Sequence, residues 1–130
     1  MNENDTVAID ELVGSNFGDN DTLSAIVAVL ADADELVILT DIDGLFDSNP
    51  RENPEARMIP VVRGVDEGII RIAGGSGSAR GTGGMLTKVH AARLANENGI
   101  DVHIVNGENP EILYRLIEGK GAGTWFQAQR

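Results

Sequence analysis

Apolar residues recur at two periods along this chain. Leu23, Ile26, Val27 and Leu30 fall at helical spacing, and Asn20 or Asp21 stands where a cap belongs, which predicts a helix over 21–33. The unbroken apolar run at 35–40 (ELVILT) predicts a strand buried on both faces. A turn over 41–47 centred on Asp43 and Gly44 follows, then a loop over 49–53 with Pro50 and Pro54 nearby. Residues 58–62 predict a short edge strand, because Pro60 removes a ladder donor that an interior strand needs. A short helix over 65–73 precedes a glycine-rich stretch, and a longer helix over 84–98 follows it, closed by Gly99. Residues 101–105 (DVHIV) predict a second buried strand, Asn106 and Gly107 a turn, and Asn109 with Pro110 the start of a helix through 116. An extended piece over 124–128 comes last. Strands alternating with helices of this length indicate βαβ units, an α/β fold with a mainly parallel sheet. Ligands bind such sheets at the carboxyl ends of strands, so the loops after Thr40 and Val105 and the glycine-rich stretch are expected on one edge. No repeat or long linker divides the 130 residues, which predicts one domain.

Composition narrows the function classes. At 42% hydrophobic and 4% aromatic, the chain can fill one core, and that core must be aliphatic. A net charge of -11 argues against nucleic acid and anionic membranes as partners, but leaves room for a local cationic site for a nucleotide. There is no cysteine, hence no disulfide or thiol chemistry, which is compatible with a cytoplasmic protein. No basic–apolar leader and no apolar run of about 18 residues is present, so a soluble protein is expected. Without a secretory signal, the sequons at Asn4 and Asn20 read as accidental matches.

The candidate chemistry centres on residues 74–88 (GGSGSARGTGGMLTK), where six glycines in eleven residues run into a helix carrying Lys88. Glycine admits close approach of the backbone to an anion, a helix start aims free N–H groups at it, and a lysine adds a point charge. The alternative is an exposed linker. Direct entry into a helix, with Thr82, Thr87 and Lys88 at the end of the run, weighs against that. The spacing fits neither the dinucleotide fingerprint nor the Walker pattern, since Lys88 follows Thr87. Asp19 and Asp21 leave three readings open: a helix cap, a Mg²⁺ ligand, or an orienting partner for a cationic side chain. Capping is the simplest for either aspartate alone. Residues 41–44 do not make a Ca²⁺ loop, since glycine stands fourth and Leu45 fifth, and they read as a solvated turn. His90 and His103 lack ligand spacing and read as structural, and Trp125 and Phe126 as core or interface anchors.

Taken in order, NENDTVA, FGDNDTLSAIVAVLADADELVILTDIDGLF, NPRENPEARMI, AGGSGSARGTGGMLTKVHAARLANENGI and GTWF resemble the glutamate 5-kinases, a family of the amino acid kinase superfamily, over essentially the whole chain. The resemblance implies a three-layer αβα sandwich with a mainly parallel sheet. Of that fold, residues 1–130 represent the C-terminal, nucleotide-binding portion, without the N-terminal half or the appended PUA domain. It implies ATP-dependent phosphorylation of the γ-carboxylate of L-glutamate, the first step of proline biosynthesis, in the cytoplasm, with Mg²⁺ accompanying ATP. By resemblance, Asp5 and Asn20 bind glutamate, and Thr40 and Asp41 contact the nucleotide. Thr82, Gly83, Gly84, Met85, Leu86, Thr87 and Lys88 form the ATP-binding stretch, and Lys88 and Asp21 are catalytic, the aspartate orienting the lysine. Since the substrate carboxylate is the nucleophile, such chemistry needs positioning and charge neutralisation rather than a strong base. With half of the phosphate clamp missing, weak ATP binding and negligible turnover are expected of the isolated chain, unless a separate N-terminal half joins it. A parallel sheet cut in the middle leaves an edge and an apolar face, so a homo-oligomer is expected. The alternatives are a non-catalytic, self-associating fragment and another superfamily branch, such as an acetylglutamate, aspartate or uridylate kinase, which the FGDND and GTGGM-TK pairing disfavours.

Overall fold

Helix α1 (Asn20–Leu30) leads into strand β1 (Glu35–Thr40), and α3 (Gly83–Glu97) leads into β3 (Asp101–Asn106). Between these two units lie β2 (Val61–Val62) and α2 (Glu67–Gly74), and after them come α4 (Glu111–Ile117) and β4 (Thr124–Phe126). The structure is a computed structural model that describes residues 20–48, 52–74 and 83–128. Its four strands form one sheet in the order β1-β3-β4-β2. β1 pairs with β3 in parallel, β3 with β4 antiparallel, and β4 with β2 in parallel. The α/β class and the mainly parallel sheet are those expected from the alternation of periods.

Cross-strand partners share a face, so Leu36 and Ile38, Val102 and Ile104, Phe126 and Val62 all point the same way. This is the face that α1, α2 and α3 cover. Their inward side chains are mostly small: Ala25 and Ala28 from α1, Ala73 from α2, and Ala91, Ala92 and Ala95 beside Val89 and Met85 from α3. Alanine lets helix axes approach closely, so α1 packs along α3 and both lie against the β1–β3 pair. Phe126 is the largest fully buried side chain and fills the space that the alanines leave. None of the residues of α4 is buried.

The opposite face carries Val37, His103, Trp125 and Val61 in register. His103 stacks on Trp125 at 5.9 Å between ring centroids, and its Nε2 lies 3.6 Å from Oε1 of Glu35, which is a structural role. His90 is exposed on α3. Phe126 belongs to the core, whereas Trp125 keeps 36% of its surface exposed.

β1 is not buried on both faces. Ile38 is buried but Leu39 is 51% exposed, because β1 is the edge of the described sheet and has β3 as its one neighbour. An apolar run alone does not say whether a strand is central. Leu39→Thr is therefore expected to change stability by less than about 1 kcal/mol, as surface substitutions do. Ile38→Ala is expected to cost about 2–4 kcal/mol. Urea unfolding of the two variants checks the contrast, and equal costs would return β1 to the interior.

Two further boundaries moved. α1 stops at Leu30 because Asp32 adopts φ 54, with Ala33 N–H donating to Ala28 O at 3.0 Å, a left-handed helix stop built on a non-glycine residue. At the end of α3, Gly99 (φ 81) and the Ile100 N–H bond to Ala95 O make the same stop where glycine foretold it. The strand expected at 58–62 is reduced to Val61–Val62. Met58 instead bridges Phe46 antiparallel, while Pro60 contributes only its carbonyl, accepting from Trp125 N at 2.9 Å.

Candidate functional site

Each of α1 and α3 runs back along the strand that follows it. Their N-termini therefore meet the carboxyl ends of β1 and β3 at one edge of the sheet. Asp21 stands in the first turn of α1, and Lys88 lies just past the first turn of α3. Lys88 Nζ donates to Oδ2 of Asp21 at 3.1 Å across 67 residues of sequence. The two side chains are only 16% and 20% exposed. Nζ also reaches Gly84 O at 3.4 Å. Thr87 Oγ1 lies 2.8 Å from the same carbonyl oxygen and 3.1 Å from Oδ2 of Asp21. The simple capping reading of Asp21 is thus replaced: its carboxylate faces α3, not the N–H groups of its own helix.

The strand ends supply the rest of this edge. Thr40 Oγ1 donates to Oδ1 of Asp41 at 3.3 Å, and Thr40 O accepts from Gly107 N at 2.9 Å. Asn106, in register with Thr40, donates from Nδ2 to Oδ1 of Asp43 at 3.1 Å and accepts Glu108 N at 2.9 Å through its own Oδ1. The turn at 41–44 is therefore fastened to the loop after β3 and is more than a solvated turn. Its exit is fastened as well. The fully buried Thr124 hydroxyl accepts Leu45 N at 2.8 Å and donates to Ile59 O at 2.7 Å. Gly44 is required there, since a Cβ at 44 would stand 2.7 Å from Thr124 Oγ1. Asn106, Asp43 and Thr124 were not singled out as site residues from sequence. The one available signal was that both turns fall at strand carboxyl ends.

Of the residues named from sequence, Asn20, Asp21, Gly83, Gly84, Thr87 and Lys88 lie at the two helix starts, and Thr40 and Asp41 at the end of β1. Met85 is buried in the core, and Leu86 is partly buried against it. Asp5, Asp19 and Thr82 lie outside the described residues, as does the glycine run over 75–82. A cavity of about 130 Å³ lined by Gly64, Val65, Arg93, Asn96 and Glu97 lies toward the other end of α3, away from this cluster. Chemically, the cluster brings together a lysine ammonium held by a carboxylate and the start of a helix, groups of the kind that can bind an anion.

Residues 1–106 match the model of the amino acid kinase family. The chain is 53% identical to glutamate 5-kinase of Clostridium perfringens (strain 13 / Type A), over 100% of this chain and 49% of that relative. It is also 53% identical to glutamate 5-kinase of Geobacter sulfurreducens, over 97% of this chain and 33% of that one. The chain thus spans between a third and a half of the length of these relatives. The fold is similar to that of UMP kinase from Bacillus anthracis, with a TM-score of 0.64 at 21% identity, covering 88% of this chain and 42% of that one. With the family model matching most of its length, and the fold shared with a kinase of remote sequence, the chain belongs to the amino acid kinase family.

Proposed function

We propose that this chain is the ATP-side portion of a glutamate 5-kinase, and that its carboxyl edge holds the triphosphate while the γ-carboxylate of L-glutamate attacks. The observation that carries the reading is the Lys88–Asp21 pair at 3.1 Å, which joins the two helix starts. The 53% identity to proteins named glutamate 5-kinase supports the choice of substrate. In this reading a carboxylate oxygen bonds to the γ-phosphorus, the bond to the β-phosphate bridging oxygen breaks, and ADP leaves. Lys88 neutralises charge on the transferring group, and Asp21 sets where the ammonium sits. Residues 82–88 form the ATP-binding stretch, in which the free N–H groups of Gly83, Gly84 and Met85 at the start of α3 cradle phosphate oxygens. Thr40 and Asp41 contact the nucleotide, and Asp5 and Asn20 take glutamate. Mg²⁺ would accompany ATP and supply charge neutralisation on the phosphates.

The reading includes a cytoplasmic location and a place in proline biosynthesis. It also includes completion of the site by a separate N-terminal half, and self-association. The partly exposed Leu39, Val61 and Trp125 on the sheet face opposite the three helices support self-association. A clean monomer in sedimentation at micromolar concentration would count against that part.

Calorimetric titration with Mg-ATP tests the nucleotide site. Lys88→Ala is expected to weaken binding about 10- to 100-fold, the loss of one charge-assisted hydrogen bond to phosphate. Equal affinities for the two proteins would remove Lys88, and with it the observation on which the reading stands.

A further inference from the structure

Thr87 sits where two acceptors meet, and Lys88 addresses the same two. The hydroxyl is 2.8 Å from Gly84 O and 3.1 Å from Oδ2 of Asp21, while Nζ is 3.4 Å and 3.1 Å from those atoms. Among the described residues, these two side chains supply the hydrogen bonds to the Asp21 carboxylate. A hydroxyl has a single proton and an ammonium has three. Lys88 can therefore satisfy both oxygens and still offer an N–H elsewhere, whereas Thr87 must divide its proton or choose.

We propose that Thr87 is a positioning residue whose hydroxyl donates to Oδ2 of Asp21, keeping that carboxylate aimed at α3 so that Lys88 is presented at a fixed point. The role rests on the reading of Asp21 and Lys88 as the working pair, and it differs from the nucleotide contact that the resemblance implies for Thr87. It also explains why the carboxylate needs a second donor. When Lys88 turns toward an anion, Oδ2 loses its ammonium, and a partly buried carboxylate oxygen left without a donor is costly. The Thr87 hydroxyl, already on Oδ2, remains as its donor without any movement of α3. Lys88 can then exchange partners while Asp21 keeps its rotamer.

The chain has two lysines, Lys88 and Lys120, which makes a spectroscopic test direct. In a carbon–proton NMR spectrum, the two Hε protons of a held lysine are inequivalent, and those of a freely rotating one coincide. Lys120, 64% exposed and 3.0 Å from Glu118, shows how an exposed ion pair appears in the same spectrum. Asp21→Asn gives the spectrum of Lys88 released from its partner. Thr87→Val, which keeps the shape and removes the hydroxyl, is expected to lose the Lys88 Hε splitting and approach the Asp21→Asn spectrum. Thr87→Ser is expected to restore it. Thr87→Ala makes the same prediction should the valine variant fail to fold.

If Thr87→Val and Thr87→Ala keep the wild-type splitting, the hydroxyl belongs to Gly84 O and the proposal is overturned, while the Asp21–Lys88 pair stands. If the wild type already matches Asp21→Asn, the pair itself is absent in solution and both readings fall. No nucleotide is needed, so the result does not depend on whether the isolated chain binds ATP.

Discussion

Replacing Gly123 with alanine is expected to destabilise the fold by about 3 kcal/mol or more, a large share of the roughly 5–15 kcal/mol that holds a domain together. Two costs fall on the same residue. Gly123 has φ +61, where an L side chain costs about 1–2 kcal/mol. A Cβ there would also overlap the Ile104 carbonyl oxygen and stand 2.9 Å from Val105 Cγ1. Ile104 cannot move aside, because it is paired on both sides, with Ile38 of β1 and Thr124 of β4. Gly119 provides the control. Its φ is +76, but nothing lies within 4 Å of a built Cβ, so Gly119→Ala should show the conformational cost alone, about 1–2 kcal/mol. Urea unfolding followed by the fluorescence of the single tryptophan, Trp125, measures both. Similar costs for the two would mean that the strand yields at Ile104 and that the overlap is not limiting.

Thr124→Val is the second large effect, expected at about 2–4 kcal/mol. Valine keeps the volume but orphans the Leu45 N–H and the Ile59 carbonyl, both bonded to a hydroxyl with no exposure. Each buried group left without a partner costs about 1–3 kcal/mol. Thr124→Ser keeps the hydroxyl and loses one methyl, which should cost about 1 kcal/mol. The Leu45 amide should also exchange faster with solvent in the valine variant, since its acceptor is gone. If valine and serine cost the same, the hydroxyl is not the anchor of the 41–44 turn.

What sequence disclosed followed from what leaves a periodic or conformational trace. Helices showed through their 3.6-residue spacing and strands as short apolar runs, and Gly99 announced the end of α3. Asp32 did not announce the end of α1, because a left-handed aspartate looks like any acidic surface residue. The run ELVILT showed a strand but not that it would lie at an edge, since an edge is a property of neighbours. The strand order was equally hidden: nothing in TWF says that it enters between β3 and β2, antiparallel to one and parallel to the other. Within the site, residue types and resemblance singled out Asp21 and Lys88, which the structure brings into contact. The Asn106–Asp43 and Thr124–Leu45 bonds span 63 and 79 residues, and contacts of that kind leave no local pattern to read.

The position of β4 also has a consequence in time. Among the described strands β2 pairs with β4 alone, so among them residues 61–62 have no partner until 124–126 arrive. At a synthesis rate of about 5–20 residues per second, the roughly 60 intervening residues take about 3–12 s to emerge. Throughout that interval Val61 and Val62, in the apolar segment Met58-Ile59-Pro60-Val61-Val62, have their carbonyls and amides open to any passing strand. It is short, broken by Pro60, and flanked by Arg57 and Arg63. Proline and flanking charge are the gatekeepers that stop an unpaired strand from seeding aggregation. The residue that shortened β2 in the finished sheet thus protects the nascent chain while β2 waits for its partner.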